Sequence, residues 1–223
     1  MFEGFSPRTI DFIANLSLNN NKPWFEAHKS EFQQVFQFPM KALSQTVFKK
    51  VSDKHPDHHF TNKVSRIYKD ARYLRATDGP YRTSLWFSIE KPRLGAAWTD
   101  TPVFWFDLSL DGWSYGMGYG GAKSETMAKL RAQIDKDPKQ FEKLTAFLDK
   151  QHEFVLDGAD YVRQKPAPSP QTAPWYNKKS FSLIHKQNLS QELFSANLAD
   201  HIAKGMMSLM PLYDYLIELN PKT

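Results

Sequence analysis

The densest run of chemistry-bearing side chains is RIYKDARYLRATDGPYRT, residues 66–83, which sets Arg66, Lys69, Asp70, Arg72, Arg75, Asp78 and Arg82 among Tyr68, Tyr73 and Tyr81. Guanidinium groups grip carboxylates and phosphates bidentately, and an intervening carboxylate orients them through charge-assisted hydrogen bonds. Two readings stand side by side. In one, Arg66, Arg72 and Arg82 hold a small anion, Asp70 fixes one guanidinium, and Tyr81 donates a hydrogen bond or stacks. In the other, an Arg–Asp network merely fastens a loop. Asp70 and Asp78 offset only part of the arginine charge, and like charges gathered without compensation repel. The anion reading therefore predicts that Arg66 and at least one of Arg72 and Arg82 line one solvent-accessible cavity within reach of Tyr81. Asp78-Gly79-Pro80-Tyr81 is expected to make a defined turn that aims Tyr81 and Arg82 back toward Arg66, with Asp78 accepting backbone hydrogen bonds.

Two further segments carry weaker signals. In VFWFDLSLD, residues 103–111, Phe104, Phe106, Leu108 and Leu110 make an apolar face, and Asp107 lies opposite with Val103, Trp105 and Ser109. If that second face floors a pocket, Asp107 is the candidate general base or arginine-orienting group; otherwise it is solvated or paired. In WSYGMGYGGAKS, residues 113–124, alternate positions are small, so another body can approach the backbone closely. That body is either an anion at the helix start after Gly120-Gly121 or a packed neighbour of the core. His55, Asp57, His58 and His59 have metal-ligating chemistry, but Pro56 and polar neighbours point to a loop without a rigid frame, so no metal is expected there. Neither a nucleophile elbow nor a phosphate-binding glycine fingerprint is present.

The elements that position these residues follow from periodicity. Helices are expected at 6–18, from Pro23 onward, and at about 40–52, with Pro39 kinking or splitting the second. Two-residue alternation then predicts strands near 63–69, 84–90, 102–110 and 113–119, with Asp111-Gly112 as a hairpin turn. Helices from Ser124 and from Asp137-Pro138, a strand at 180–186, and helices at about 190–203 and 205–219 complete the chain. Strands in the middle and helices before and after predict an α+β fold, a mostly antiparallel sheet (about 63–119 plus 180–186) covered by N- and C-terminal helices. A single domain over 1–223 is expected, with a proline-rich surface connection at 164–174.

Composition narrows the function classes. The 223 residues contain no cysteine, which removes disulfides, thiolate nucleophiles and cysteine-ligated metals. No apolar run approaches the roughly 18 residues that span a bilayer, and no export core follows the start, so a soluble cytoplasmic protein with no membrane partner is expected. The net charge of +5 favours anionic partners, yet the basic residues are dispersed rather than gathered in an arm. Three readings follow: a small anionic ligand bound at the arginine segment, with or without catalysis; a nucleic-acid-binding module, since tyrosines and tryptophans interleave with cations; and a structural or interaction protein using Trp98, Trp113 and Trp175 as an oligomer face. Cofactor, reaction and oligomeric state are left open.

The order Arg66-Ile67, Asp70, Arg72-Tyr73, Asp78, Pro80-Tyr81-Arg82 resembles the core motif of the domain of unknown function 2461 family, found widely in bacteria. Gly4-Phe5, Asn19-Asn20, Trp24-Phe25, the glycine-rich strand and the terminal Lys179-Ser180-Phe181 with Pro211-Leu212 extend the resemblance nearly end to end. Family members usually carry Lys and Phe where this chain has Gly79 and Tyr73. If that Lys touches a ligand, Arg75 or Arg82 supplies the contact here or it is missing. The resemblance implies relatedness and a shared site, not a reaction.

Overall fold

The computed structural model describes residues 1–75, 78–92 and 98–219, with Tyr73 and Trp98 described in backbone only. Helices α1 (Pro7–Leu18), α2 (Lys22–Phe32) and α3 (Phe38–Lys54) come first. Asn21 caps α2, its side-chain oxygen accepting from the Trp24 N–H at 3.0 Å. Pro39 has the effect its missing N–H dictates. The chain passes from α2 into α3 through a π-turn at Gln33–Gln37, where the Phe38 N–H reaches back to the Gln33 carbonyl. The Val35 carbonyl, four residues before the proline, loses the N–H that Pro39 cannot offer and accepts the buried Thr9 hydroxyl at 2.6 Å.

Strands β1 (Thr61–Val64), β2 (Leu85–Glu90), β3 (Val103–Ser109) and β4 (Gly112–Gly118) follow, the last two joined at the predicted Asp111-Gly112 turn. After α4 (Ser124–Lys136) and α5 (Pro138–Thr145) come β5 (Val155–Asp157), α6 (Ala173–Tyr176), β6 (Ser182–Gln187), α7 (Leu198–Ser208) and α8 (Met210–Ile217). The strands form one antiparallel six-stranded sheet in the order β1-β2-β3-β4-β6-β5, and the fold is α+β. β5 pairs with β6 in the register Val155 to Ile184. Among the described residues no helix is long and apolar enough to cross a membrane.

Three expectations are corrected. The strand predicted at 63–69 ends at Val64; beyond it the chain forms a separate ribbon, described below. β5 was not predicted, because three residues are too few to show alternation. The helix predicted at 190–203 begins only at Leu198, after a 3-10 turn at Gln191–Phe194.

By contact the chain divides into two compact units. Unit 1 comprises residues 1–89, 105–115 and 186–204, and unit 2 comprises 90–104, 116–185 and 205–223. In unit 1, Phe25 packs on Phe32, and Phe87 stacks on Phe106 with centroids 5.4 Å apart. In unit 2, Phe104 stacks on Tyr213 at 4.7 Å and Trp175 meets Phe181 edge-on at 5.1 Å. Trp113 and Trp175 are buried at 2% and 4% exposure, which removes them from any oligomer face, and the side chain of Trp98 lies outside the described residues. A tryptophan predicted near a turn is an apolar surface of large area, and burial against other rings is its cheapest placement.

Candidate functional site

The arginine segment is held by a staple that sequence reading did not anticipate. Tyr68 and Tyr81 face each other across an antiparallel bridge, with the Lys69 N–H donating to the Pro80 carbonyl at 2.9 Å and the Arg82 N–H to the Ile67 carbonyl at 2.7 Å. Asn20, sixty-one residues away, clamps the turn: its amide donates to the Tyr81 carbonyl at 2.9 Å and its oxygen accepts the Tyr81 N–H at 3.0 Å. Gly79 is required there, since a Cβ would lie 2.2 Å from the Asn20 Cγ. The Tyr81 ring stacks on Phe25 at 4.0 Å and is 2% exposed, and that burial raises its pKa. Asp78 accepts a backbone N–H, but from Arg75 at 3.1 Å, on the near side of Asp78, rather than from within the turn 78–81 where it was expected.

The predicted site residues separate. Asp70 accepts from Arg72 through Nε and Nη2, the shortest contact 2.6 Å, and this guanidinium holds the Asp70 carboxyl down at about 2. Both side chains stand in solvent. Arg82 also acts on Asp70 through its charge. Arg66 is exposed, whereas its neighbours Ser65 and Ile67 are buried. Alternation from the Tyr68–Tyr81 pair puts Arg66 on the side of the tyrosines and Arg82 on the side of Ile67. The structure thus joins Asp70 to Arg72, and sets Tyr81 into the core. The two cavities described here and below are lined by other residues.

The first cavity lies in unit 1. It has a volume of about 410 Å³ and its lining includes Asp107, Ser109, Asp111, Ser114, Lys186 and Asn188. β3 builds its floor for the reason the sequence implied: Phe106 and Leu108 are fully buried while Trp105, Asp107 and Ser109 alternate with them, half-buried on the other face. Asp107 is the perturbed group. Its partial burial disfavours the charge and raises its pKa to about 6, against a lowering by a hydrogen bond with Ser84. Ser84 precedes β2, and Arg82 lies two residues before it. Ser84 and Lys186 were missed; the available signal was a run of polar residues at every second position, Asp107 and Ser109, in an otherwise apolar strand.

The glycine-rich strand takes the packing role. A Cβ on Gly116 would lie 2.0 Å from the Leu183 carbonyl oxygen, and one on Gly118 2.5 Å from that of Phe181. The body that approaches β4 is therefore the backbone of β6 and the residue before it. The helix start after Gly121 is likewise filled from within: the Lys123 N–H donates to the Asp100 carboxylate at 2.9 Å and the Ala122 N–H to the Ser180 hydroxyl at 3.0 Å. An anion predicted at this turn is supplied by Asp100. At the histidine loop, His58 stacks on Phe60 at 4.9 Å and His55 meets His58 edge-on.

Comparison with known families gives one match, covering residues 8–215, to the family described as conserved hypothetical protein (DUF2461). The chain belongs to that family. No curated protein matches it.

Proposed function

We propose that this member of the family binds a small anionic molecule in the unit 1 cleft, with Asp107 as the group that exchanges a proton with it. The observation that carries the reading is the Asp107 carboxyl, raised to about 6 in a polar concavity of about 410 Å³. A carboxyl that titrates there is part-protonated near neutral pH. It donates a hydrogen bond to an oxyanion in one form and accepts a proton in the other, which is the chemistry of a general acid or base. Lys186 supplies positive charge at the cleft. Arg82, two residues before Ser84 in the chain, is assigned a share in the field there. In this reading Arg66 and Arg72 are exposed cations that draw the anion in, Asp70 orients Arg72, and Tyr81 locks their ribbon to Asn20.

The test is a carbon-13 titration of the Asp107 carboxyl, free and with candidate carboxylates and phosphates. The free carboxyl is expected to titrate near 6; an inflection near the ordinary value of about 4 sinks the reading. Linkage then reports the ligand's charge. An anion in the cleft makes ionisation of Asp107 harder and raises its pKa further, and a cation lowers it. Saturable shifts at Ser109 and Ser114 with a downward movement of Asp107 would overturn the anion part and leave the site.

A further inference from the structure

Unit 2 contains a second cavity, of about 590 Å³, whose lining includes Tyr161, Val162, Arg163, Lys165, Pro166 and Lys179. Among the described residues three cations and no carboxylate line it. Two carboxylates of the same unit are engaged elsewhere: Asp160 pairs with Lys178 at 3.0 Å, and Asp135 accepts the Tyr176 hydroxyl at 3.1 Å. A further cation stands behind the groove. The Arg131 guanidinium carbon lies 5.4 Å from the centroid of the Tyr161 ring, and its Nη1 is buried with no hydrogen-bond partner among the described residues.

The loop that carries these groups is built rather than loose. Asn177, itself buried, closes it at both ends: its carbonyl accepts the Tyr161 N–H at 2.8 Å, its side-chain oxygen accepts the Lys165 N–H at 2.7 Å, and its amide donates to the Lys165 carbonyl at 3.4 Å. A single residue thus ties the backbone down at both ends of residues 161–165, so what remains to be ordered on binding is the cations' side chains. The Lys165 Nζ sits 5.7 Å from the centroid of the Tyr161 ring, which Arg131 also approaches. With two cations already on that ring, recognition here runs through charge rather than ring stacking. Val162, 99% exposed, and Pro166 add an apolar rim.

We propose that this groove is a binding site for a small multivalent oxyanion, an organic phosphate or a polycarboxylate, held by Arg163, Lys165 and Lys179. The cations repel one another when the groove is empty, and a multivalent anion relieves that repulsion. The volume falls within the range of roughly 300–1,000 Å³ typical of small-molecule sites. The proposal is independent of the Asp107 cleft.

The experiment titrates the intact chain with pyrophosphate and, separately, citrate, following amide shifts of residues 161–166 and 179 by NMR at constant ionic strength set with chloride. Saturable shifts confined to those residues are expected with at least one probe, and which probe binds tighter separates the phosphate source from the carboxylate source. The double variant Arg163→Gln with Lys179→Gln, both at exposed positions, is expected to keep its melting temperature and to weaken binding about tenfold or more. Asp107→Asn is expected to leave these shifts unchanged. The proposal is overturned if neither probe saturates, if the shifts spread over the basic surface at large, or if the double variant binds as the parent chain does.

Discussion

The ribbon that pairs residues 67–69 with 80–82, together with Asp70 and Arg72, and the cleft at Asp107 differ in a way that inverts their prominence in the sequence. The ribbon is crowded with charge, yet its ion pair, Asp70 with Arg72, stands in solvent, where water and salt screen it. The cleft is lined by Asp107, Asp111 and Lys186, and Asp107, on an otherwise apolar strand, is shifted by partial desolvation. A charge in water beside an opposite partner, like Asp70 beside Arg72, is pushed further toward its ionised form and stays there across the neutral range. A charge half-withdrawn from water is held away from its preferred protonation state, and that is what proton-transfer chemistry uses. The ribbon's structural weight lies instead in its tyrosine and in the clamp from Asn20.

Tyr81→Ala should therefore have the largest effect on stability. It removes a ring stacked on Phe25 and leaves a core cavity, with an expected loss of about 3–5 kcal/mol in chemical denaturation. A loss under about 1 kcal/mol would show that the ribbon is peripheral to the fold and would revive Tyr81 as a ligand-facing group.

Asp107→Asn is expected to act next, with the opposite sign. The folded carboxyl keeps its proton up to about 6, while the unfolded one releases it near 3.8. Folding thus takes up a proton between these values, and stability falls as pH rises through that window before levelling off above it. The variant lacks the penalty, so it should gain about 1–3 kcal/mol over the parent chain at pH 8 and nothing at pH 3.5. Parallel stability curves for the two chains would mean that Asp107 is solvated, and the comparison between the regions would collapse.

How much of this was legible in the sequence depends on the range of the interactions. The helix starts at Pro7 and Pro138, the Asp111-Gly112 turn and the alternation of β3 are local, set by neighbours a few residues apart, and the structure has them as the sequence implies, with the second helix opening one residue before Pro23. The orientation of Asp107 away from the core face was legible for the same reason. Its partial burial and its hydrogen bond with Ser84 were not, because both depend on what distant segments bring against β3. The clamp of Asn20 on Gly79 and Tyr81 was likewise hidden, although both ends stand within the motifs that carry the family resemblance. So was the fate of the glycine strand, where Gly116 meets a carbonyl from β6 rather than a ligand. Residue types announced a close approach, and only the fold could say of what.

The smallest expected effect is the one that decides what the ribbon's arginines are for. Arg72 bonds Asp70 with both groups in solvent, so Arg72→Gln should leave the melting temperature at neutral pH unchanged within error. Its signature should appear in the titration of Asp70, which Arg72 holds at about 2 and which the variant should release toward the ordinary carboxylate range. Because a lowered carboxyl contributes stability only above its unfolded pKa, any difference between the two chains at neutral pH should fade as the solution is acidified through that range. The fold is thereby held constant while a guanidinium is removed, and an effect on ligand then has one meaning. If Arg72→Gln and Arg82→Gln each weaken the anion that perturbs Asp107, and weaken it more at low salt than at high, the ribbon serves the cleft as a source of positive field. If both variants bind that anion as the parent chain does, the arginines belong to the surface, and the cleft with Lys186 and Asp107 stands as the site by itself.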